Sequence, residues 1–352
     1  TSKFLKLSGM YGSAPALFLH SVQKKHNVKT LYVLRDAEEA GYFYNDILQL
    51  SPSTEVFYFP SSYKKKVKAD LQKDGANLVL RTETLNALSK NQANVVVTYP
   101  EAISELVVKP KALESESLTL KTGESADLNT LSAILTDYGF ERVDFVYEPG
   151  QFSIRGSILD VFSYSNDLPY RVDFCVCCIN RNKTFDIENQ LSVESLSEIS
   201  IVSNILQNTV EEELVSIFEY FPKDFILGFI DAAYTQDIIK QISDENAETS
   251  LFITKEDFDA ECRQYKCLEW GIRNFFGSKK TINFNQGIQG VFHKNFDLVA
   301  SNFKEFQSQG YEVLVLSDNA KQIDRLKEIL ADRPEHISFT PVINIVHEGF
   351  ID

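Results

Sequence analysis

A segment near the start of the chain, residues 9–16, has the outline of a phosphate-binding loop without the groups that bind phosphate. An intact loop reads G-x-x-x-x-G-K-[ST], in which the Lys reaches the β- and γ-phosphates and the hydroxyl binds Mg²⁺. Aligned on Gly9, the second Gly, the Lys and the hydroxyl residue are replaced by Ala14, Pro15 and Ala16. Pro15 has neither a positive charge nor a backbone N–H to donate to a phosphate.

We therefore predict a degenerate nucleotide loop that does not bind nucleotide, formed by Gly9, Gly12, Ser13, Ala14, Pro15 and Ala16. The alternative, from the residues alone, is an ordinary glycine-containing turn between a strand and a helix. Neither interpretation gives this segment ATP hydrolysis. A binding role is favoured over an enzymatic one, and no catalytic residue is predicted.

Two arginines, Arg155 and Arg171, lie on neighbouring strand-like segments in the middle of the chain. Arginine is favoured where a planar fork of donors binds the carboxylates of a partner. The alternative is that both are solvated strand residues paired with Asp160 and Asp173. Spacing alone favours that alternative, because arginine side chains are mostly exposed.

The cysteine and histidine residues show no metal-binding pattern. Structural zinc sites usually combine two ligand pairs, and neither the run Cys175-Val176-Cys177-Cys178 nor the pair Cys262 and Cys267 has a second pair or a nearby His. We predict no metal and no cofactor for this chain. The odd number of five cysteines, without a signal-like start, predicts reduced thiols in the cytoplasm.

The net charge of −15 is unevenly distributed. Residues 1–115 carry 15 basic and 11 acidic side chains, residues 116–206 carry 6 and 14, and residues 207–352 carry 14 and 25. This balance argues against a nucleic-acid footprint over the whole chain, and any DNA contact would be local to residues 1–115. The basic run at residues 64–68 is the candidate for phosphate contacts, but a solvated loop is the favoured interpretation of it. No apolar run approaches the length of about 20 residues that a membrane helix needs, so no membrane partner is predicted.

The order of predicted elements indicates an α/β fold with an inserted α+β domain. Strands predicted at 28–34, 55–59 and 95–98 alternate with helices, which favours a parallel sheet. Beyond residue 115 a helix at 127–138 is followed by β-type segments, and a buried strand returns at 225–230. We predict a discontinuous domain 1 at 1–115 and 207–250, a domain 2 at 116–206, and a small α/β domain 3 at 251–352 that ends in a strand at 342–346.

Several of these segments resemble the N-terminal region of bacterial transcription-repair coupling factors, which are related to the excision-repair protein UvrB. The most specific signature is Gly150 to Phe162 (GQFSIRGSILDVF), followed by Pro169 to Phe174 and Thr184 to Asp186. The altered loop at residues 9–16 and the strand at 95–98 also fit the family. The resemblance implies a UvrB-like parallel-sheet domain with a degenerate P-loop.

The resemblance also implies a partner. In this family and in UvrB the inserted domain docks onto UvrA, and the family's contact positions fall on Arg155, Arg171 and Cys175. The third of these positions is usually aromatic. The sequence from Cys175 to Lys183 departs from the family's acidic, glycine-containing turn, and nothing in the residues explains the departure.

By this resemblance the chain is an N-terminal fragment that recruits UvrA to excision repair. Its parent is expected to be an ATP-dependent DNA translocase that displaces stalled RNA polymerase, with ATP and Mg²⁺ bound by motor domains outside this chain. RNA polymerase and DNA are expected partners of those other parts. Two alternatives remain from the residues: a UvrB-type ATP-dependent helicase subunit, and a non-enzymatic DNA-binding module that uses residues 64–68.

Overall fold

The computed structural model describes residues 3–62, 75–115, 117–175, 178–203, 214–331, 333 and 337–352. The α-helices of these ranges are α1 Ala14–His26, α2 Ala37–Leu50, α3 Gly75–Ser89, α4 Pro100–Ser104, α5 Pro110–Ser115, α6 Leu128–Asp137, α7 Ala232–Glu245, α8 Lys255–Cys262, α9 Phe296–Ser308 and α10 Ala320–Ala331, and a short 3₁₀ helix spans Ile217–Tyr220.

The strands of the same ranges are β1 Phe4–Ser8, β2 Thr30–Val33, β3 Val56–Phe59, β4 Val95–Thr98, β5 Val107–Val108, β6 Ser117–Lys121, β7 Glu141–Arg142, β8 Gln151–Arg155, β9 Ile158–Val161, β10 Tyr170–Cys175, β11 Cys178–Phe185, β12 Ser192–Leu196, β13 Glu198–Val202, β14 Leu214–Val215, β15 Ile226–Ile230, β16 Lys266–Trp270, β17 Thr281–Asn283, β18 Gly287–Ile288, β19 Leu314–Leu316, β20 Thr340–Val342 and β21 Phe350–Ile351.

The largest sheet has seven strands in the order β17-β1-β16-β15-β2-β4-β3, and every pairing in it is parallel. Every residue of β2 and β4 is buried, as expected for strands covered by helices on both faces. Helix α2 begins after Asp36, because the Asp36 carboxylate accepts a hydrogen bond from the Glu39 N–H at 2.9 Å. The α/β class predicted from the sequence is confirmed.

The large sheet extends past the predicted boundary at residue 250. Strand β16 pairs with both β1 and β15, and β17 forms the edge beside β1. Helix α8 begins with a capping box between Thr254 and Asp257, and its Phe258 and Cys262 are fully buried in the core of this sheet. The residues between 251 and 283 therefore complete domain 1 rather than open domain 3. The other boundaries stay predictions.

A second sheet is formed by residues that lie, in the sequence, between strands β4 and β15 of the first sheet. Its six strands run in the order β12-β11-β10-β9-β8-β7, and all neighbours are antiparallel except β7 and β8. One face of this sheet packs against α6 and the β6–β13 pair, around Leu135, Phe152, Leu159, Val172 and Ile201. The opposite face, called the outer face below, carries the side chains that alternate with these core residues.

Candidate protein-interaction site

Positive charge is concentrated on the outer face of the six-stranded sheet. Residues directly opposite in an antiparallel ladder share a face, and the register joins Ser153, Asp160, Arg171 and Lys183 in one row. A second row joins Arg155, Ile158, Asp173 and Arg181. Four of the six basic residues of residues 116–206 thus lie on one face of a module with 14 acidic side chains.

Asp160 holds both candidate arginines. Its side chain is 1% exposed, and its Oδ2 accepts a hydrogen bond from Arg155 Nη2 at 2.5 Å. Arg171 donates to the same carboxylate through two atoms, from Nε to Oδ1 at 2.7 Å and from Nη2 to Oδ2 at 2.9 Å. One buried carboxylate therefore fixes two guanidinium groups, and the cluster keeps one net positive charge.

The two arginines differ in exposure. The Arg171 side chain is 15% exposed, lies 4.4 Å from the centre of the buried Phe185 ring, and donates from Nη1 to the Gln190 carbonyl at 3.0 Å. The Arg155 side chain is 38% exposed and lies 4.7 Å from the ring centre of Phe145, which is itself exposed. The Arg155 guanidinium thus packs against an exposed ring and remains partly open to solvent. Arg171 also stabilises the local fold through its contacts with Phe185 and Gln190.

The pairing expected for two solvated arginines is partly present. Both arginines pair with Asp160, but Asp173 binds Lys183, with Lys183 Nζ 2.9 Å from Asp173 Oδ2. Cys175 is exposed at the end of β10, two and four residues beyond Asp173 and Arg171 on the same strand. The structure thus brings Arg155 and Arg171 together and leaves Cys175 at one edge of the face. It adds Phe145, Arg181 and Lys183, which the sequence reasoning missed although strand alternation could have found the two basic residues.

The degenerate nucleotide loop lies between β1 and α1, as the sequence predicts. Gly9 and Gly12 have φ values of +70° and +53°, and Pro15 lies in the first turn of α1. In an intact loop, the N–H groups at the start of this helix would donate to a bound phosphate. The geometry agrees with a loop of this kind, but its descent from a nucleotide-binding loop stays a prediction.

In this chain, a segment that is distant in sequence contacts the start of helix α1. The Ser13 N–H donates to the Glu348 carbonyl at 3.0 Å, and the Glu348 N–H donates to Ser13 Oγ at 3.0 Å. The His347 N–H donates to the buried Asp46 carboxylate at 2.7 Å, and the His347 ring stacks on Tyr42. Residues 347–349, called the closing segment below, therefore occupy the Ser13 N–H, a backbone donor at the start of α1.

The space that remains beside the closing segment is acidic. A cavity of about 260 Å³ is lined by Asp36, Glu38, Glu39, Asp46 and Glu348, among other residues. Burial raises the pKa of Asp46 above its ordinary value. With no lysine in the loop, a lining of this charge would repel the phosphates of a nucleotide, and the absence of nucleotide binding stays a prediction.

Replacing Gly12 with alanine is expected to displace the closing segment. A Cβ atom at Gly12 would lie 2.4 Å from the Gly349 carbonyl oxygen, in a backbone region that costs alanine about 1–2 kcal/mol by itself. We expect the free energy of unfolding to fall by about 2–4 kcal/mol in urea melts, and the amides of residues 347–349 to lose protection in hydrogen exchange.

The matched control is Gly277→Ala, since Gly277 has a φ of +62° and a Cβ there meets no atom within 4 Å. This variant isolates the cost of the backbone conformation. If the two variants lose the same stability, the contact between Gly12 and the closing segment contributes nothing.

Comparisons with known proteins find similar proteins for the region that forms the six-stranded sheet and for much of the rest of the chain. Residues 118–205, which contain the outer face, match the family model described as the UvrB interaction domain. The transcription-repair-coupling factor of Bacillus subtilis (strain 168) is 24% identical over 196 residues, covering 55% of this chain and 16% of that protein. Those of Staphylococcus aureus strains MSSA476 and MW2 are each 20% identical, covering 93% of this chain and 34% of each relative.

Residues 118–205 are thus similar to the UvrB interaction domain. The chain is similar to transcription-repair-coupling factors over most of its length, and the resemblance seen in its sequence is confirmed. The chain spans about a third of the length of these two Staphylococcus aureus relatives. Within the residues that the structure describes, no helix combines the length and apolar character needed to cross a membrane.

Proposed function

We propose that this chain docks onto UvrA through the outer face of the six-stranded sheet. Arg155 and Arg171 donate to acidic residues of UvrA in this proposal, and Cys175 lies at the edge of the contact. The observation that carries it is the concentration of basic side chains on one face of an otherwise acidic module. The match of residues 118–205 to the UvrB interaction domain supports the choice of partner.

The arrangement of Arg155 suits a charged interface. Asp160 and the Phe145 ring hold the guanidinium in place before any partner arrives, which reduces the ordering cost of binding. Phe145 is 46% exposed and offers apolar area next to the charge. Interfaces of this type commonly combine an arginine and an aromatic side chain at the residues that contribute most to affinity.

We further propose that the chain acts as the UvrA-recruiting part of a transcription-repair coupling factor in the cytoplasm. ATP-driven DNA translocation and displacement of stalled RNA polymerase, which the family resemblance implies, would then reside in regions of the relatives that this chain does not cover. ATP and Mg²⁺ would be bound there as well. The chain itself would recruit without hydrolysing ATP.

The rival functions have weaker support. A UvrB-type ATPase needs backbone donors for phosphate, and the closing segment already occupies the Ser13 N–H. It also needs a lysine, which Pro15 replaces. Saturable ATP binding by the chain would favour this rival. The DNA-binding alternative uses residues 64–68, which lie outside the described residues. Salt-dependent DNA binding that disappears when those lysines are neutralised would favour it.

The docking proposal is tested by measuring UvrA binding to this chain and to the Arg155→Ala variant by titration calorimetry. Arg155 is partly exposed, so its removal disturbs the fold little and mainly deletes the contact. We expect the variant to bind UvrA at least about tenfold more weakly, which corresponds to about 1.4 kcal/mol. The affinity of the unsubstituted chain for UvrA is also expected to fall as the salt concentration rises.

The matched control is Lys121→Ala. Lys121 is an exposed basic residue of the same module, paired with Glu198 at 3.4 Å, but it lies on β6 in a different sheet. This variant removes one positive charge at a position that is not on the outer face. It should bind UvrA as tightly as the unsubstituted chain. If both variants lost the same affinity for UvrA, the effect would come from net charge and not from the outer face. If the unsubstituted chain did not bind UvrA, the proposal would be refuted.

A further inference from the structure

Two cysteines face each other at the free end of the hairpin formed by β10 and β11. Cys175 and Cys178 are directly opposite in the ladder, so their side chains share one face. Cys175 is exposed, Cys178 is partly exposed, and neither is in a disulfide. The Cys178 thiol already leans across the hairpin, with its Sγ 3.4 Å from the Cys175 carbonyl oxygen.

The backbone geometry allows these thiols to be joined. Opposite residues in an antiparallel ladder have Cα atoms about 4.5–5.5 Å apart, and disulfides span Cα separations of about 4.4–6.8 Å. The Cα separation typical of such a pair therefore lies within the range that disulfides span. We propose that Cys175 and Cys178 form a redox-active dithiol that closes to a disulfide when a peroxide is present.

The reaction balances with hydrogen peroxide as the oxidant. One thiolate attacks the peroxide, an S–O bond forms, the O–O bond breaks, and hydroxide leaves to give a sulfenic acid. The second thiol attacks that sulfur, an S–S bond forms, the S–O bond breaks, and water leaves. Overall, two thiols and one peroxide give one disulfide and two waters. A dithiol reductant reverses the reaction by thiol–disulfide exchange.

The buried cysteines provide an internal contrast. Cys262 and Cys267 are 0% and 1% exposed, and burial raises the pKa of the Cys267 thiol to about 12 and that of Cys262 well above its ordinary value. Thiolate is the reacting form, so both should resist peroxide under conditions that oxidise the hairpin pair. Accessibility and ladder position thus single out Cys175 and Cys178.

The disulfide would act on UvrA docking, a consequence that rests on the proposed function. Cys175 lies on the outer face at the edge of the arginine cluster, and the disulfide removes its S–H and ties its side chain to β11. An edge contact that has lost its donor and its freedom to adjust should weaken binding. We expect the oxidised chain to bind UvrA about 3–10-fold more weakly than the reduced chain.

The test uses the Cys177→Ser variant of the whole chain, so that the third nearby thiol cannot compete. The protein is treated with hydrogen peroxide, its remaining thiols are alkylated, and peptides are mapped by mass spectrometry before and after dithiothreitol. We expect a reducible link between Cys175 and Cys178 and full alkylation of Cys262 and Cys267 after denaturation. Adding Cys175→Ser should abolish the link.

The outcomes separate the two proposals. Sulfinic acid at Cys175 without a link to Cys178 overturns the dithiol, whatever the chain binds. A link that forms while oxidised and reduced chains bind UvrA equally overturns the effect on docking. If the reduced chain does not bind UvrA, the docking proposal fails, and the peptide map still decides whether the dithiol exists.

Discussion

Arg171→Ala is expected to lower both the stability of the six-stranded module and its affinity for UvrA. The Arg171 guanidinium satisfies both oxygens of Asp160, and removing it leaves a 1% exposed carboxylate with Arg155 as its remaining cation. Breaking a buried ion pair by deleting one partner typically costs about 3–5 kcal/mol. With Arg155 still in place, we expect the free energy of unfolding to fall by about 2–4 kcal/mol in urea melts, and UvrA binding to fall more than in Arg155→Ala.

A double variant separates the two roles of Arg171. In Arg171→Met with Asp160→Leu, the buried charge and its partner are removed together and replaced by apolar side chains of similar size. Such replacements are often neutral or stabilising, so most of the lost stability should return. Affinity for UvrA should not return, because the Arg171 donors are gone and Arg155 has lost the carboxylate that holds it. Recovery of both quantities would make Arg171 a structural residue without a direct contact, and recovery of neither would contradict the account of Asp160.

The parts of the fold set by local chemistry were predicted well. The largely apolar runs predicted at 28–34 and 95–98 form buried parallel strands at 30–33 and 95–98, and Asp36 caps α2 from its position before an amphipathic run. The strand predicted at 342–346 is wrong beyond Val342. Strand β20 ends there, and Ile343 and Ile345 are exposed as the chain continues toward the closing segment.

The features that depend on distant residues could not be read from the sequence. The closing segment meets the loop at Gly12 and Ser13 across more than 300 residues, and a lone glycine at 349 carries no local signal for that contact. No strand was predicted at 266–270, and these residues were assigned to domain 3, because Lys266 and Glu269 interrupt the apolar pattern of β16. Residue types alone suggested two solvated arginines, whereas the fold gives one exposed and one largely buried arginine on a shared carboxylate.

Arg81→Met is expected to destabilise domain 1 by about 3–5 kcal/mol. Arg81 and Glu105 are each 4% exposed, with Arg81 Nη2 3.2 Å from Glu105 Oε2. Arg81 also donates from Nη1 to the Pro60 carbonyl at 2.7 Å and lies 4.1 Å from the ring centre of Phe59. Because the Glu105 carboxylate is buried, methionine would leave it with hydrogen bonds from Ser61 and Ser62 but without this opposite charge. Urea melts of the variant measure the loss.

The control for this prediction is Arg35→Met, in which the same side chains are exchanged at the surface. Arg35 is 59% exposed and lies 3.8 Å from Glu39, an arrangement that typically contributes less than about 1 kcal/mol. The difference between the two variants therefore reports the effect of burial on an otherwise similar ion pair. The ion pair between Arg81 and Glu105 connects α3 with the end of β3 and with the residue after α4. Loss of this pair should therefore destabilise domain 1. The charge of the outer face should stay unchanged, because neither residue lies on it. Equal melts for the two variants would show that the buried pair carries no more stability than the exposed one.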